Sequence, residues 1–190
     1  MSDIWFVTGG GRSGKTAYAE SLLAGLRLPK NPGVLFIATG VATDEEMEDR
    51  IARHQAGRPK EWVTWERFRD FKGIEKDFKP EQFGAILLDC VTGLLMGILF
   101  DEIPDPDDFG AGDFERVEQL SISEIDILID YAIKYDKRLI FVTNEVGMGI
   151  IPETRYTRYY RDALGRINKH IADAADRAVL LVAGLPVKLK

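Results

Sequence analysis

The segment Gly9-Gly10-Gly11-Arg12-Ser13-Gly14-Lys15-Thr16 fits G-x-x-x-x-G-K-[ST], and the apolar run Ile4-Trp5-Phe6-Val7 stands directly before it. A buried strand, a glycine-rich turn and then a helix is a demanding order, because the turn must bring backbone N–H groups together at the helix N-terminus. From Thr16 onward an amphipathic stretch (Ala19, Leu22, Leu23, Leu26) supplies that helix. The pattern therefore predicts a phosphate loop that binds a nucleoside triphosphate. Backbone N–H groups of Gly9 to Gly14 surround phosphate oxygens, Lys15 reaches the β- and γ-phosphates, and the Thr16 hydroxyl is placed to ligate Mg²⁺.

Further short apolar runs follow at Val34–Ala38, Ala85–Leu88, Leu139–Val142 and Ala178–Val182, with helical patterns filling most intervals. Runs of nearly continuous Val, Ile and Leu suit strands buried on both faces, so the alternation predicts an α/β fold with a mainly parallel sheet covered by helices on both faces. Trp62-Val63-Thr64-Trp65 reads as a further, more exposed strand, and Pro186-Val187-Lys188-Leu189 as a final edge strand. Thr43 at N-cap and Glu46 at N3 form a capping box for a helix running to Ala56, with Gly57 as its stop. The acidic, Pro- and Gly-containing stretch from Asp101 to Asp113 reads as a solvated loop, and Asp113 to Tyr135 as a long helix. No internal repeat or linker divides the chain, so residues 1–190 read as one domain.

A net charge of −6 argues against a general nucleic-acid or anionic-membrane binder, since such proteins carry a basic field. The chain has a single cysteine, Cys90, which excludes an intrachain disulfide and sits in an apolar run as a small hydrophobe. The N-terminus lacks the features of a signal peptide, and the longest apolar run, Val91 to Phe100, is about half of the roughly 20 residues that a spanning helix needs. The expectation is a soluble, cytoplasmic protein with a small-molecule partner.

Asp89 ends the predicted strand at Leu88, on the edge where open α/β sheets bind ligands, and a carboxylate there could hold Mg²⁺ opposite Thr16. The segment Arg50 to Pro59 concentrates three arginines and His54, one of two histidines. Arg50 and His54 would share a helix face. The residues alone fit a solvated helix end slightly better, with Arg50 and Arg53 paired to Glu46 and Asp49. The other reading is a phosphate-facing histidine nucleophile. His170 falls on the outer face of a helix whose buried stripe includes Ile167 and Ile171. Asn144 and Glu145 follow another strand toward the ligand edge, where a binding loop and an ordinary turn fit equally well. Arg161-Asp162 with Gly165 and Asn168, at helical spacing, fit close helix packing or a subunit contact.

Together these segments resemble the bifunctional adenosylcobinamide kinase/adenosylcobinamide-phosphate guanylyltransferase family of cobalamin synthesis. The resemblance runs through Val7 to Lys15, Ile37-Ala38-Thr39, Arg50-Ile51 with His54, Gly57-Arg58-Pro59, Leu87 to Cys90, Val142 to Ile150, Arg161-Asp162 with Gly165, Arg166 and Asn168, and Pro186 to Lys190. It implies a P-loop NTPase fold with a RecA-like sheet, often assembled as a trimer with the active site near a subunit boundary. By the same resemblance His54 is the residue that carries a covalent guanylyl group, with Lys15 as the other catalytic residue. Ala38, Thr39, Gly40, Gln55, Ala56, Gly57, Arg58, Glu66 and Asp89 then line the nucleotide site with residues 9–16. The implied reactions are phosphorylation of adenosylcobinamide by ATP or GTP, then transfer of GMP from GTP to give adenosylcobinamide-GDP, with Mg²⁺ on Thr16 and Asp89. Some members carry His where this chain has Arg53, and some carry Glu at the position of Asp89.

Two other readings share the nucleotide site. A small-molecule kinase or NTPase of the same fold would transfer phosphate without a protein adduct, and a nucleotide-regulated binding module would bind GTP with negligible transfer. They differ from the first in what His54 does.

Overall fold

The computed structural model describes residues 2–24, 33–40, 59, 61–105 and 107–190. The expected helix from Thr43 to Ala56 lies outside the described residues, as do Arg50, Arg53, His54, Gln55, Ala56, Gly57 and Arg58.

In chain order the strands are β1 (Asp3–Gly9), β2 (Val34–Ala38), β3 (Val63–Glu66), β4 (Ala85–Asp89), β5 (Arg138–Val142), β6 (Arg177–Val182) and β7 (Leu185–Lys188). The helices are α1 (Lys15–Ala24), α2 (Ile74–Asp77), α3 (Val91–Glu102), α4 (Ala111–Lys134) and α5 (Arg155–Ala174). Strand order across the sheet is β3-β2-β4-β5-β1-β6-β7. Every neighbouring pair is parallel except β6–β7, so the fold is the mainly parallel α/β sheet that the apolar runs predict.

Successive strand residues face opposite sides of a sheet, and here the two sides feed two cores. Trp5, Val7, Phe36, Leu87, Ile140 and Val142 pack with Ala19 and Leu23 of α1. Ile4, Phe6, Ile37, Ile86, Leu88, Leu139 and Phe141 pack on the other side against α3, α4 and α5. Strands buried on both faces have no room for polar side chains, which is why the central ones read as unbroken apolar runs. At the sheet edges the pattern relaxes. In β3 Trp65 alone is buried, and β7 is exposed throughout.

Two boundaries differ from the sequence expectation. The apolar run at Val91 continues as helix through Glu102, because Val91, Leu94, Leu95, Ile98 and Leu99 form one buried stripe. The following stretch is also not a merely solvated loop. Ile103 is buried, and Phe109 meets Phe114, Tyr156 and Tyr159 edge-on at 5.2, 5.5 and 5.9 Å. The long helix then begins at Ala111, where Asp113 Oδ2 accepts from the Gly110 N–H at 2.8 Å and satisfies a donor left over at the helix start. Acidic and glycine residues thus mark a helix start there more than a loop.

Candidate active site

Parallel register places the carboxyl ends of the strands on one line. Glu66 pairs with Ala38, Ala38 with Asp89 and Asp89 with Val142, while Val142 pairs with Val7 of β1, two residues before Gly9. Five of the residues singled out from sequence, Gly9, Ala38, Thr39, Glu66 and Asp89, therefore stand along one edge of the sheet. Gly40 follows Thr39 and is exposed there, as is Glu66.

The loop from Gly9 to Lys15 is fixed from several sides. Gly9 has φ 154°, and a Cβ on it would stand 2.5 Å from the Leu181 carbonyl oxygen, so no larger residue fits. Gly14 has φ 91°, and Arg12 adopts the left-handed region at 57°. The Gly9 carbonyl accepts from the Glu145 N–H at 3.0 Å, and the Ser13 carbonyl accepts from the Gly184 N–H at the β6–β7 turn at 3.0 Å. A Cβ on Gly10 or Gly11 would meet nothing within 4 Å among the described residues. The loop is thereby held at its two ends, and among the described residues nothing crowds the Cβ directions of Gly10 and Gly11.

Lys15 is buried, and its Nζ donates to the Gly10 carbonyl at 2.6 Å. An ammonium taken out of water needs such partners, and one folded over the loop is already aimed at the place where phosphate oxygens would sit. Thr16 Oγ1 donates to Asp89 Oδ2 at 2.8 Å, which joins the first turn of α1 to the end of β4. A hydroxyl and a carboxylate at contact distance suit Mg²⁺, a cation that takes one or two protein oxygens together with phosphates and water. Among the described residues no group of three or more His, Cys, Asp or Glu offers a site made of protein ligands alone.

Thr39 is buried against the turn after β4. Its hydroxyl donates to the Cys90 carbonyl at 2.6 Å and accepts from the Cys90 N–H at 2.8 Å, and a Cβ on Gly93 would meet that hydroxyl oxygen at 2.6 Å. Cys90 caps α3, its Sγ accepting from the Gly93 N–H at 3.4 Å. Burial, with the Asp89 carboxylate beside it, pushes the Cys90 thiol up to about 11. It is a structural residue, in line with its apolar setting in the sequence.

Two further candidates stand on α5. His170 has its Nε2 2.7 Å from Asp126 Oδ1 of α4, so it joins two helices. Asn168, noted from sequence only for its helical spacing, is buried. It accepts from Thr143 Oγ1 at 2.8 Å, and its Nδ2 donates to the Asn144 carbonyl at 3.1 Å. Thr92 Oγ1 accepts from the Asn144 N–H at 3.1 Å. Sequence reasoning missed Thr92 and Thr143 as supports of this edge, because the bonds join residues 24 to 52 positions apart and leave no local pattern.

A family model described as cobinamide kinase / cobinamide phosphate guanyltransferase matches residues 5–189. The chain is 41% identical over 187 residues to the bifunctional adenosylcobalamin biosynthesis protein CobU of Escherichia coli, covering 97% of this chain and 98% of that protein. It is 42% identical over 185 residues to the CobU protein of Salmonella typhimurium, with coverages of 97% and 98%. To the bifunctional adenosylcobalamin biosynthesis protein CobP of Pseudomonas aeruginosa it is 34% identical over 190 residues, 100% of this chain and 98% of that one. With nearly the whole chain matched, and with a phosphate loop, a buried lysine and a hydroxyl–carboxylate pair at one sheet edge, the chain belongs to the cobinamide kinase / cobinamide phosphate guanyltransferase family of enzymes.

Proposed function

We propose that this chain phosphorylates adenosylcobinamide with ATP or GTP and then transfers GMP from GTP to adenosylcobinamide phosphate, giving adenosylcobinamide-GDP, within the one domain and in the cytoplasm. The observation that carries the reading is the phosphate loop closed at both ends beside the Thr16–Asp89 pair, in a chain of this family. Among the described residues no helix is long and apolar enough to cross a membrane.

In the first reaction the substrate hydroxyl oxygen bonds to the γ-phosphorus, the β–γ bridging bond breaks, and the hydroxyl proton leaves to solvent. Lys15 offsets negative charge on the transferring group, and the loop N–H groups hold the nucleotide in line. Thr16 and Asp89 would hold Mg²⁺, which when bound draws negative charge off the β- and γ-phosphates. In the second reaction the neutral His54 imidazole bonds to the α-phosphorus of GTP and pyrophosphate leaves. A phosphate oxygen of adenosylcobinamide phosphate then bonds to that phosphorus and the P–N bond breaks, which frees His54. Ala38, Thr39, Gly40, Gln55, Ala56, Gly57, Arg58 and Glu66 complete the nucleotide site in this reading.

The test is to incubate the purified chain with Mg²⁺, adenosylcobinamide and ATP or GTP labelled at the γ-phosphorus, beside Thr16→Val. Labelled adenosylcobinamide phosphate from the wild type, reduced about 100-fold in the variant, is expected. Triphosphate binding with no labelled product would overturn the kinase assignment. The chain also assembles, in this reading, as a homotrimer. Exposed apolar side chains such as Met148 (79%), Ile150 (95%) and Leu185 (69%) support a covered surface. Sedimentation equilibrium at three subunit masses is expected, and a single-subunit mass at micromolar concentration would contradict it.

A further inference from the structure

We infer that the Asn144 carboxamide is a catalytic residue, donating from its Nδ2 to a non-bridging oxygen of the γ-phosphate; the assignment rests on the nucleotide site proposed above. Pairing of β5 with β1 continues beyond Val142. Thr143 N–H donates to the Val7 carbonyl at 3.0 Å, and Glu145 N–H donates to the Gly9 carbonyl at 3.0 Å. The alternation of side chains therefore also continues. Ile140 and Val142 face the core on the α1 side, while Leu139 and Phe141 face the core formed with α3, α4 and α5. Thr143 keeps the pattern, since its hydroxyl reaches Asn168 on α5. Asn144 falls on the α1 side, the side on which Asp89 meets Thr16.

The sheet order then fixes its place. β5 lies between β1, which leads into the phosphate loop, and β4, which ends in Asp89. Asn144 emerges between the two, where the terminal phosphate of a bound nucleotide would meet Lys15 and the Thr16–Asp89 pair. Its position is held by the backbone alone. The N–H donates to Thr92 Oγ1, the carbonyl accepts from Asn168 Nδ2, and the carboxamide takes part in neither bond. Thr92 and the buried Asn168 thus fix a polar residue whose own side chain they leave for another use. A neutral donor at that point orients the transferring group without adding charge. Asn168 is then a positioning residue, acting through Asn144.

Isothermal calorimetry on the full chain with Mg²⁺ tests this, comparing a non-hydrolysable triphosphate analogue with the corresponding diphosphate, in the wild type and in Asn144→Ala. Because the carboxamide bonds to no other group among the described residues, the variant is expected to melt as the wild type does. Its preference for triphosphate over diphosphate should fall about 10-fold, with diphosphate affinity unchanged. Phosphoryl transfer to adenosylcobinamide should lose about 100-fold in kcat. A triphosphate preference within twofold of the wild type would overturn the assignment. A wild type that binds triphosphates and phosphorylates nothing would count instead against the proposed activity, since the calorimetric ratio is read without the corrinoid.

Discussion

Asp89 shows how one residue acquires two meanings. Its carboxylate ends a strand of four buried apolar residues, and parallel register alone brings it to the line shared with Ala38, Glu66 and Val142. That much is readable in sequence, because a strand end next to an apolar run is a local pattern. Its contact with Thr16 is not local, yet it follows once the phosphate loop is recognised. Asn168 is the opposite case. In sequence it is one polar residue among several at helical spacing, and its role exists only because it reaches Thr143 and Asn144 just beyond β5. Cys90, its neighbour's opposite in chemistry, yields a pH prediction. A thiol raised from the ordinary 9.0 to about 11 keeps its proton in the folded chain after the unfolded chain has lost it. The stability this gives is full below pH 9 and drains away as pH rises toward 11. Native protein should therefore resist iodoacetamide at pH 8 and label increasingly toward pH 11, with the same stability loss absent in Cys90→Ala. Rapid labelling at pH 8 without unfolding would contradict the shielded thiol.

Helix α3 shows what an apolar run decides and what it leaves open. Val91 to Phe100 has the composition of either a core or an interface, and periodicity cannot choose between them. The structure makes it core, with Leu94, Ile98 and Leu99 at most 1% exposed. The deciding partners are remote, since Thr39 sits over Gly93 and the Phe68 ring over Gly97. Both glycines permit close approach. A Cβ on Gly97 would stand 2.4 Å from Phe68 Cγ, so Gly97→Ala should lower unfolding free energy by about 1–3 kcal/mol in a denaturant titration. Unchanged stability would mean that the ring moves aside at no cost. The stretch after α3 read correctly only in part, with Pro104, Asp105, Asp107 and Asp108 exposed as expected, and the rest was hidden for a related reason. Acidic and proline residues suggest solvent, but Phe109 finds an aromatic cluster made of Phe114 from α4 and Tyr156 and Tyr159 from α5. Strand positions, by contrast, were legible because burial on both faces writes itself into consecutive residues.

At the scale of the molecule, a sheet with two cores carries one reactive edge. The strand order places the phosphate loop, Asn144 and Asp89 on adjacent strands, and the hairpin β6–β7 braces the loop from the side away from β5. In the proposed reading this frame binds the phosphates and carries the transfer of a terminal phosphoryl group. In the same reading the second activity depends on His54, in a segment outside the described residues, where the residues alone fit a solvated helix end slightly better. The most direct test is to incubate the chain with Mg²⁺ and GTP labelled at the α-phosphorus, denature it, and compare it with His54→Ala. Label that survives denaturation and alkali, is lost in acid as a phosphoramidate is, and is absent from the variant is the expected result. A wild type that binds GTP and carries no such label, or a His54→Ala chain labelled as strongly as the wild type, would contradict it.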